Sequence, residues 1–145
     1  MSKTLAQISQ AGTSIWLDDL SRERMIDNGK SRSLKSLISE ESVVGVTTNP
    51  AIFSSSISQS ALYSDDLKAL AAKGFSAEQI ITELTCSDVA KACDLFKEVF
   101  LSSGGVDGRV SIEVDPRFAR DTQKTISQAR DLWGKIDRPN LLIKV

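Results

Sequence analysis

The chain has 145 residues, of which 41% are hydrophobic and 26% charged, enough for one domain with a sizeable core. Its net charge of -1 gives no electrostatic reason to bind nucleic acid or an anionic membrane surface. No apolar stretch approaches the roughly 20 residues that span a bilayer, and the N-terminus lacks the apolar core of a secretory signal, so we expect a cytoplasmic protein.

Short apolar runs alternate with amphipathic segments from the N-terminus onward. The stretch "SIWLD" (14–18) predicts a first strand. The following segment predicts a short helix, a turn at Asn28 and Gly29, and a second helix capped by Ser33. The stretch "VVGVTT" (43–48), rich in β-branched residues, predicts the second strand.

Residues 54–103 are predicted to be helical. Ser76 with Gln79 has the spacing of a capping box, which predicts the start of one helix. Thr85 with Asp88 has the same spacing and predicts the start of a further helix. This segment therefore predicts several consecutive helices between the second and third strands.

The only two cysteines, Cys86 and Cys93, lie seven residues apart in the predicted helical segment. At that spacing they share one helical face with Val89 and Phe96. Two cysteines are too few for a disulfide scaffold, so we expect small core residues in a reducing compartment.

The last third of the chain predicts two more strands with a helix between them. The stretch "RVSIEV" (109–114) predicts the third strand and "LLIKV" (141–145) the fourth. A helix over about 117–136 is predicted to turn one apolar side to the core, formed by Ile126, Ala129, Leu132, Trp133 and Ile136.

Strands that alternate with helices predict right-handed crossovers and a parallel sheet covered by helices. No G-x-G-x-x-G follows the first strand, so the pattern favours the first four βα units of a (β/α)₈ TIM barrel, a fold of about 250 residues. Half a barrel leaves two strand edges and the inner face uncovered. We therefore expect residues 1–145 to be the N-terminal half of a single barrel domain, truncated after the fourth strand. The alternative is that another part, not seen in this sequence, covers the open edges and the inner face.

Polar residues stand where the predicted strands end. Asp18 ends the first strand, and Thr47, Thr48 and Asn49 end the second. Glu113 lies near the end of the third strand, and Lys144 ends the fourth. In a (β/α)₈ barrel the carboxyl ends of the strands form the active face. We therefore expect these side chains to converge on one cavity.

The absence of histidine excludes a Ser-His-Asp triad, a Cys-His pair and the usual zinc sites within this chain. A lysine in water has a pKa of about 10.4, but burial disfavours the ammonium form, and catalytic lysines are commonly tuned to about 7–8. A neutral Lys144 could attack a ketone to form a Schiff base. Asp18 and Glu113 would then move protons, and Asn49 would hold a substrate hydroxyl.

Each of these residues also has a structural alternative. Lys144 could be a strand-end lysine whose ammonium group reaches water, and Asn49, which precedes a proline, could be a helix cap. Asp18 could cap the next helix or pair with Arg22. Glu113 lies between two aliphatic residues and needs a partner, for which Lys144 is the obvious candidate. A purely structural ion pair between them stays open.

Four segments at the strand ends carry a family resemblance: "WLDDLSR" (16–22), "GVTTNPAI" (45–52), "VSIEVDPR" (110–117) and "NLLIKV" (140–145). In this order and spacing they resemble the transaldolases. The longer stretch "SIWLDDLSRER" (14–24) is especially similar to the actinobacterial-type branch. The resemblance extends over essentially all 145 residues.

The resemblance implies a (β/α)₈ barrel without a metal or organic cofactor. Such enzymes transfer a dihydroxyacetone unit from sedoheptulose 7-phosphate or fructose 6-phosphate to glyceraldehyde 3-phosphate or erythrose 4-phosphate, in the pentose phosphate pathway. By motif, Lys144 resembles the Schiff-base lysine, Asp18 the aspartate that handles protons near the cleaved bond, and Glu113 the glutamate that works through a bound water. Asn49 resembles the asparagine that holds the donor's hydroxyls, with Thr48 beside it as a second substrate-binding candidate.

Transaldolases continue after this lysine with four more strand–helix units, which include the arginines that bind the substrate phosphate. We therefore expect little or no turnover from the 145-residue chain alone. One alternative is a related class I aldolase that releases free dihydroxyacetone. Another is a non-catalytic half-barrel that associates with itself. A homodimer is a further possible assembly.

Overall fold

The computed structural model describes residues 3–29 and 32–145. These ranges contain eight α-helices, four β-strands and two short 3-10 helices. In chain order the helices and strands are α1 (Lys3–Gln10), β1 (Ile15–Leu17), α2 (Arg22–Met25), α3 (Leu34–Glu40), β2 (Val43–Val46), α4 (Pro50–Gln59), α5 (Ser64–Ala72), α6 (Ala77–Leu95), α7 (Lys97–Ser102), β3 (Arg109–Glu113), α8 (Thr122–Ile136) and β4 (Leu141–Lys144). The 3-10 helices are Ala61–Tyr63 and Pro116–Phe118.

The four strands form one parallel sheet in the order β1-β2-β3-β4. Every strand therefore lies beside its sequence neighbour, and helical segments connect each pair. This sequential order requires a crossover on the same side at every step, as in a barrel. The predicted α/β class with four parallel strands is confirmed.

The two faces of the sheet differ in character. One face carries aliphatic side chains that are buried under the helices, including Val46, Val110, Ile112 and Leu141. Helix α6 lies against β3 and α8 on this side. The opposite face carries the alternate residues of each strand, such as Trp16, Leu142 and Glu113. The helix-covered face therefore supplies the core.

Helix α6 is one continuous helix of 19 residues, which corrects part of the prediction. Its capping box at Ser76 and Gln79 is confirmed, because each residue's side chain accepts from the backbone of the other. The predicted new start at Thr85 and Asp88 is wrong. The Thr85 hydroxyl donates to two carbonyls of the preceding turn, and Asp88 is completely buried, so both lie in the middle of the helix.

The cysteine prediction is confirmed for the folded chain. Cys86, Val89, Cys93 and Phe96 are all buried on the inner face of α6, and both cysteines are free thiols. Burial raises the pKa of the Cys86 thiol to about 11 and that of the Cys93 thiol to about 12. Both groups are therefore protonated core residues at neutral pH and are poor nucleophiles.

The apolar side of α8 is narrower than predicted. Leu132 and Ile136 are buried, whereas Ile126 is 40% and Trp133 47% exposed. At about 100° per residue, Ile126 and Trp133 lie roughly 60–80° around the helix from Ile136. They occupy the edge of the apolar stripe, where the sheet no longer covers them.

Two other boundaries differ from the predicted ones. The N-terminal helix α1 was not predicted, although Leu5 and Ile8 have the i, i+3 spacing of one helical face. The predicted helix over 117–136 is divided into the 3-10 helix Pro116–Phe118 and α8, which begins after the cap Asp121. Within the described ranges, no helix is long and apolar enough to cross a membrane.

Asn140 joins three elements just before β4. It is 3% exposed, and its side-chain amide donates to the carbonyls of Cys93 at 2.9 Å and Gly108 at 2.8 Å. These carbonyls belong to α6 and to the loop that leads into β3. One buried amide group therefore fixes the start of β4 against both neighbours.

Asn140→Ala is expected to lower the free energy of unfolding by about 2–3 kcal/mol, because two hydrogen bonds are lost and two carbonyls stay buried without this donor. Urea unfolding monitored by circular dichroism measures the change. The exposed Gln123→Ala on α8 serves as the control and should change the value by no more than about 0.5 kcal/mol. Equal effects of the two substitutions would contradict the role of Asn140.

Candidate active site

Lys144 and Glu113 form an ion pair at the carboxyl ends of β4 and β3. The two residues are opposite each other in the strand register, and Lys144 Nζ lies 3.1 Å from Glu113 Oε1. Their side chains are 52% and 25% exposed, respectively. The predicted pairing is confirmed, but the expected burial of the Lys144 amine is not found. The amine is half exposed because β4 is the edge of the described sheet and has a neighbouring strand on one side only.

Asp18 lies just beyond β1 and accepts a hydrogen bond from the Thr47 hydroxyl, with 2.6 Å between Thr47 Oγ1 and Asp18 Oδ1. Neither of its structural alternatives is found. The cap of α2 is Ser21, whose side chain accepts from a backbone amide of that helix. Arg22 pairs with two other aspartates. Asp18 is therefore exposed and held by a single hydroxyl donor.

The segment after Asp18 is anchored through Arg22. Its guanidinium lies 3.0 Å from Asp88 Oδ1 and 2.7 Å from Asp66 Oδ2, and its Cζ is 4.3 Å from the centre of the Tyr63 ring. Burial, together with the Asp88 carboxylate, raises the pKa of the Tyr63 hydroxyl far above its usual range. Because Asp88 is completely buried, this charge needs Arg22 as its partner. The contact fixes the chain between β1 and α2 against α6.

Asn49 and Thr48 both have structural contacts. Asn49 is the cap of α4, and its Oδ1 accepts from the amide of Ile52 at 3.0 Å, as its structural alternative predicted. Thr48 is 1% exposed, and its hydroxyl donates to the carbonyl of Ser111 at 2.8 Å. Thr48 thus ties the end of β2 to β3.

Thr47 was not among the predicted site residues, although its hydroxyl is the one that reaches Asp18. Alternation along the second strand is the signal that separates the two threonines. Thr47 is two residues after Gly45 and shares its face of the sheet, whereas Thr48 points to the other side. The register pairs Gly45 with Trp16, two residues before Asp18, so Asp18 and Thr47 belong to the same face.

The two polar pairs lie on one face of the sheet. Register connects Gly45 to Arg109 on β3, and Glu113 is four residues after Arg109, so it has the same orientation. Lys144 is opposite Glu113. The Asp18–Thr47 pair and the Glu113–Lys144 pair therefore share the face away from the core, with Glu113 and Lys144 two residues nearer the carboxyl ends than the level of Thr47. This arrangement offers an amine and two carboxylates for chemistry at a carbonyl group.

A groove with a volume of about 1050 Å³ lies between α4, α6 and the middle of α8. Asn49 and Glu113 line one end of it, but Lys144 and Asp18 do not line it. Most of the groove is formed by apolar side chains such as Phe53 and Ile57. We therefore locate the candidate site on the open face of the sheet, where the amine and both carboxylates occur, and not in this groove.

The fold and these side chains define a class: parallel α/β proteins with a lysine and two carboxylates at the carboxyl edge of the sheet. The model of the transaldolase/fructose-6-phosphate aldolase family matches residues 15–145. The chain belongs to this family.

Several actinobacterial proteins named transaldolase are similar to the chain. The one from Acidothermus cellulolyticus is 51% identical over 145 residues, which is 100% of this chain and 38% of that protein. The one from Mycolicibacterium smegmatis is 52% identical over 141 residues, 97% of this chain and 37% of that protein. The one from Frankia alni is 46% identical over 145 residues, again 100% and 38%.

The chain thus spans about 38% of the length of the curated relatives that it matches. Together with four parallel strands in sequential order, this length relation makes the chain the N-terminal part of a TIM barrel. The predicted fold class and the resemblance to actinobacterial-type transaldolases are confirmed.

The two adjacent threonines are expected to differ in their effect on stability. Thr48→Val removes a buried donor from the Ser111 carbonyl and should lower the free energy of unfolding by about 1–2 kcal/mol. Thr47→Val should change it by about 0.5 kcal/mol or less, because water can replace the hydroxyl at the exposed Asp18. Urea unfolding of both variants tests this contrast. A larger loss for Thr47→Val would mean that the Asp18 contact is the structural one.

Proposed function

We propose that this chain carries the imine-forming part of a transaldolase active site. The observation that supports the proposal most strongly is the 3.1 Å contact between Lys144 Nζ and Glu113 Oε1, on the sheet face that also holds Asp18. The names of the similar actinobacterial proteins support the same activity. The proposed reaction transfers a dihydroxyacetone unit from a ketose phosphate to an aldose phosphate.

The first step of this mechanism is imine formation at Lys144. Glu113 accepts a proton from the Lys144 ammonium, and the neutral amine then attacks the ketone carbon. The resulting carbinolamine loses its hydroxyl group as water, for which Glu113 returns the proton. The nitrogen is left in an iminium that is covalently bound to the sugar. A carboxylate within hydrogen-bond distance of the amine is suited to both proton transfers.

The second step cleaves the bond between the α and β carbons of the iminium, where the β carbon carries a hydroxyl group. Asp18 accepts the proton from the hydroxyl on the far carbon of that bond, which becomes the carbonyl of the departing aldose. The bond electrons move toward the iminium and leave an enamine on Lys144. Attack of the enamine on an acceptor aldehyde reverses these changes, and hydrolysis of the new imine releases the product ketose. The hydrogen bond from Thr47 holds Asp18 in one orientation for this transfer.

Asn49 and Thr48 have supporting roles in this proposal. The Oδ1 atom of Asn49 is used by the helix cap, so its amide N–H groups can donate to the donor's hydroxyls. Thr48 acts through its buried contact with the Ser111 carbonyl, which positions the end of β2 and therefore Asn49. The proposal includes sugar phosphates as the small-molecule partners, the pentose phosphate pathway, a cytoplasmic location and a homodimer.

A related aldolase is the second candidate, because the family that matches includes fructose-6-phosphate aldolase in its description. Such an enzyme would use the same lysine and carboxylates but release free dihydroxyacetone. The two candidates differ in the fate of the enamine. An assay with fructose 6-phosphate in the presence and absence of an acceptor aldehyde separates them. An aldolase forms free dihydroxyacetone in both conditions, whereas a transferase forms it only slowly.

Lys144→Met is expected to abolish the covalent adduct that forms when the protein is incubated with fructose 6-phosphate and borohydride, since reduction traps only an imine. Intact mass and peptide mapping locate the adduct. Lys135→Met is the matched control, because Lys135 also pairs with a carboxylate, Glu83, at 2.5 Å but lies on α8. An adduct that persists in Lys144→Met, or that disappears in Lys135→Met, would contradict the proposed role.

Asp18→Asn is expected to change the mass of the trapped adduct. The amide cannot accept the hydroxyl proton, so the carbon–carbon bond should be cleaved at least about 100 times more slowly. Borohydride should then trap the whole six-carbon sugar phosphate on Lys144, whereas the unmodified protein also gives the three-carbon adduct. Equal proportions of the two adducts in both proteins would rule out Asp18 as the proton acceptor.

A further inference from the structure

Trp16 lies in close contact with the backbone of the neighbouring strand. It is opposite Gly45 in the register of β1 and β2. A Cβ atom built on Gly45 would lie 2.5 Å from Trp16 Cε2 and 2.6 Å from Cδ2, much closer than carbon atoms can approach. The indole ring therefore occupies the space that any side chain at position 45 would need. Only glycine is compatible with this position of the ring.

The indole lies directly below the Asp18–Thr47 hydrogen bond. Asp18 is two residues after Trp16, and Thr47 is two residues after Gly45, so both pairs are on the same face. Two residues along a strand correspond to a rise of about 7 Å. The ring thus lies one step toward the amino ends of the strands, under Asp18 and Thr47.

Trp16 is not part of the core under the helices. It is half-buried and absent from the cluster that packs between the sheet and the helices. Its row on the open face continues with Gly45 and Arg109, whereas Leu142 of β4 is level with Ser111, one step nearer the carboxyl ends. Trp16 therefore gives the open face an apolar surface below Asp18, whereas Asp18, Glu113 and Lys144 supply polar groups nearer the carboxyl ends of the strands.

We propose that the Trp16 indole is the floor of the sugar site and a substrate-positioning residue. It supports the C–H side of the ketose carbon chain near Asp18, so that the hydroxyl groups there stay within reach of the Asp18 carboxylate. An apolar floor with a few polar groups above it is the usual construction of a small-molecule site. The inference rests on the proposed function, since it assigns the ligand of that same site. If the ring only filled space, replacing it would lower stability, but a bound sugar would not change the solvent exposure of the ring.

The first experiment uses tryptophan fluorescence, because the chain has only two tryptophans. Trp133→Phe leaves Trp16 as the single fluorophore, and Trp16→Phe leaves Trp133, which is 47% exposed on α8, as the matched control. Each protein is reacted with fructose 6-phosphate and borohydride to form the stable adduct on Lys144. Acrylamide quenching of Trp16 should fall about twofold or more on adduct formation, because the sugar excludes solvent from the ring. Quenching of Trp133 should not change.

The second experiment moves or replaces the ring. Gly45→Ala forces the indole away from β2, and Trp16→Leu removes it. Both changes should raise the half-saturating concentration of fructose 6-phosphate for adduct formation about tenfold, whereas Trp16→Phe keeps an aromatic floor and should raise it less. Urea unfolding of each variant identifies those that remain folded. A half-saturating concentration that stays constant in folded variants contradicts the floor.

The outcomes separate this inference from the proposed function. Adduct formation on Lys144 with unchanged quenching of Trp16 would overturn the floor and leave the proposed function intact. The absence of any adduct on Lys144 would overturn the proposed function and, with it, the ligand assigned to Trp16. Reduced quenching of Trp16 together with the tenfold change in half-saturation would establish the floor.

Discussion

The parallel register of the sheet is the constraint on which the candidate site depends. Neighbouring strands of a parallel sheet end at the same edge, and side chains alternate between the two faces. The β3–β4 register places Glu113 opposite Lys144, and the β1–β2 register brings Thr47 to Asp18. A slip of one residue in either strand pair would send one partner to the helix-covered face. The amine and both carboxylates share one surface because the register is held.

Buried polar groups between the elements maintain this register. Asn140 links β4 to α6 and to the entry of β3, and the Thr48 hydroxyl links the end of β2 to β3. Arg22 and the buried Asp88 connect the segment after β1 to α6. Each is a short-range contact whose loss would leave a buried polar or charged group without its partner, which costs far more than the contact itself contributes. These contacts on the core side hold the strand ends that carry the candidate site.

Local sequence signals predicted the structure correctly for features that depend on a single helix or strand. The strands, the capping box at Ser76 and Gln79, and the buried face of α6 follow from periodicity and from capping chemistry. The predicted helix start within α6 was wrong because tertiary packing outweighed the local capping pattern. Thr85 and Asp88 have the spacing of a helix start, but the surrounding core continues the helix through them, and Asp88 is used to bind Arg22. Thr47 was passed over for Thr48 although alternation distinguishes them.

The sequence by itself determined the class of the chain: alternating strands and helices, polar residues at four strand ends, and motifs that identify the transaldolase/fructose-6-phosphate aldolase family. These properties depend on residue order alone. Only the tertiary structure decided which polar groups meet, that the Lys144 amine is half exposed beside Glu113, and that the Trp16 ring rests on Gly45. Such contacts join residues that are far apart in the chain. They depend on strand register and on what covers each face, and neither is encoded in any single segment.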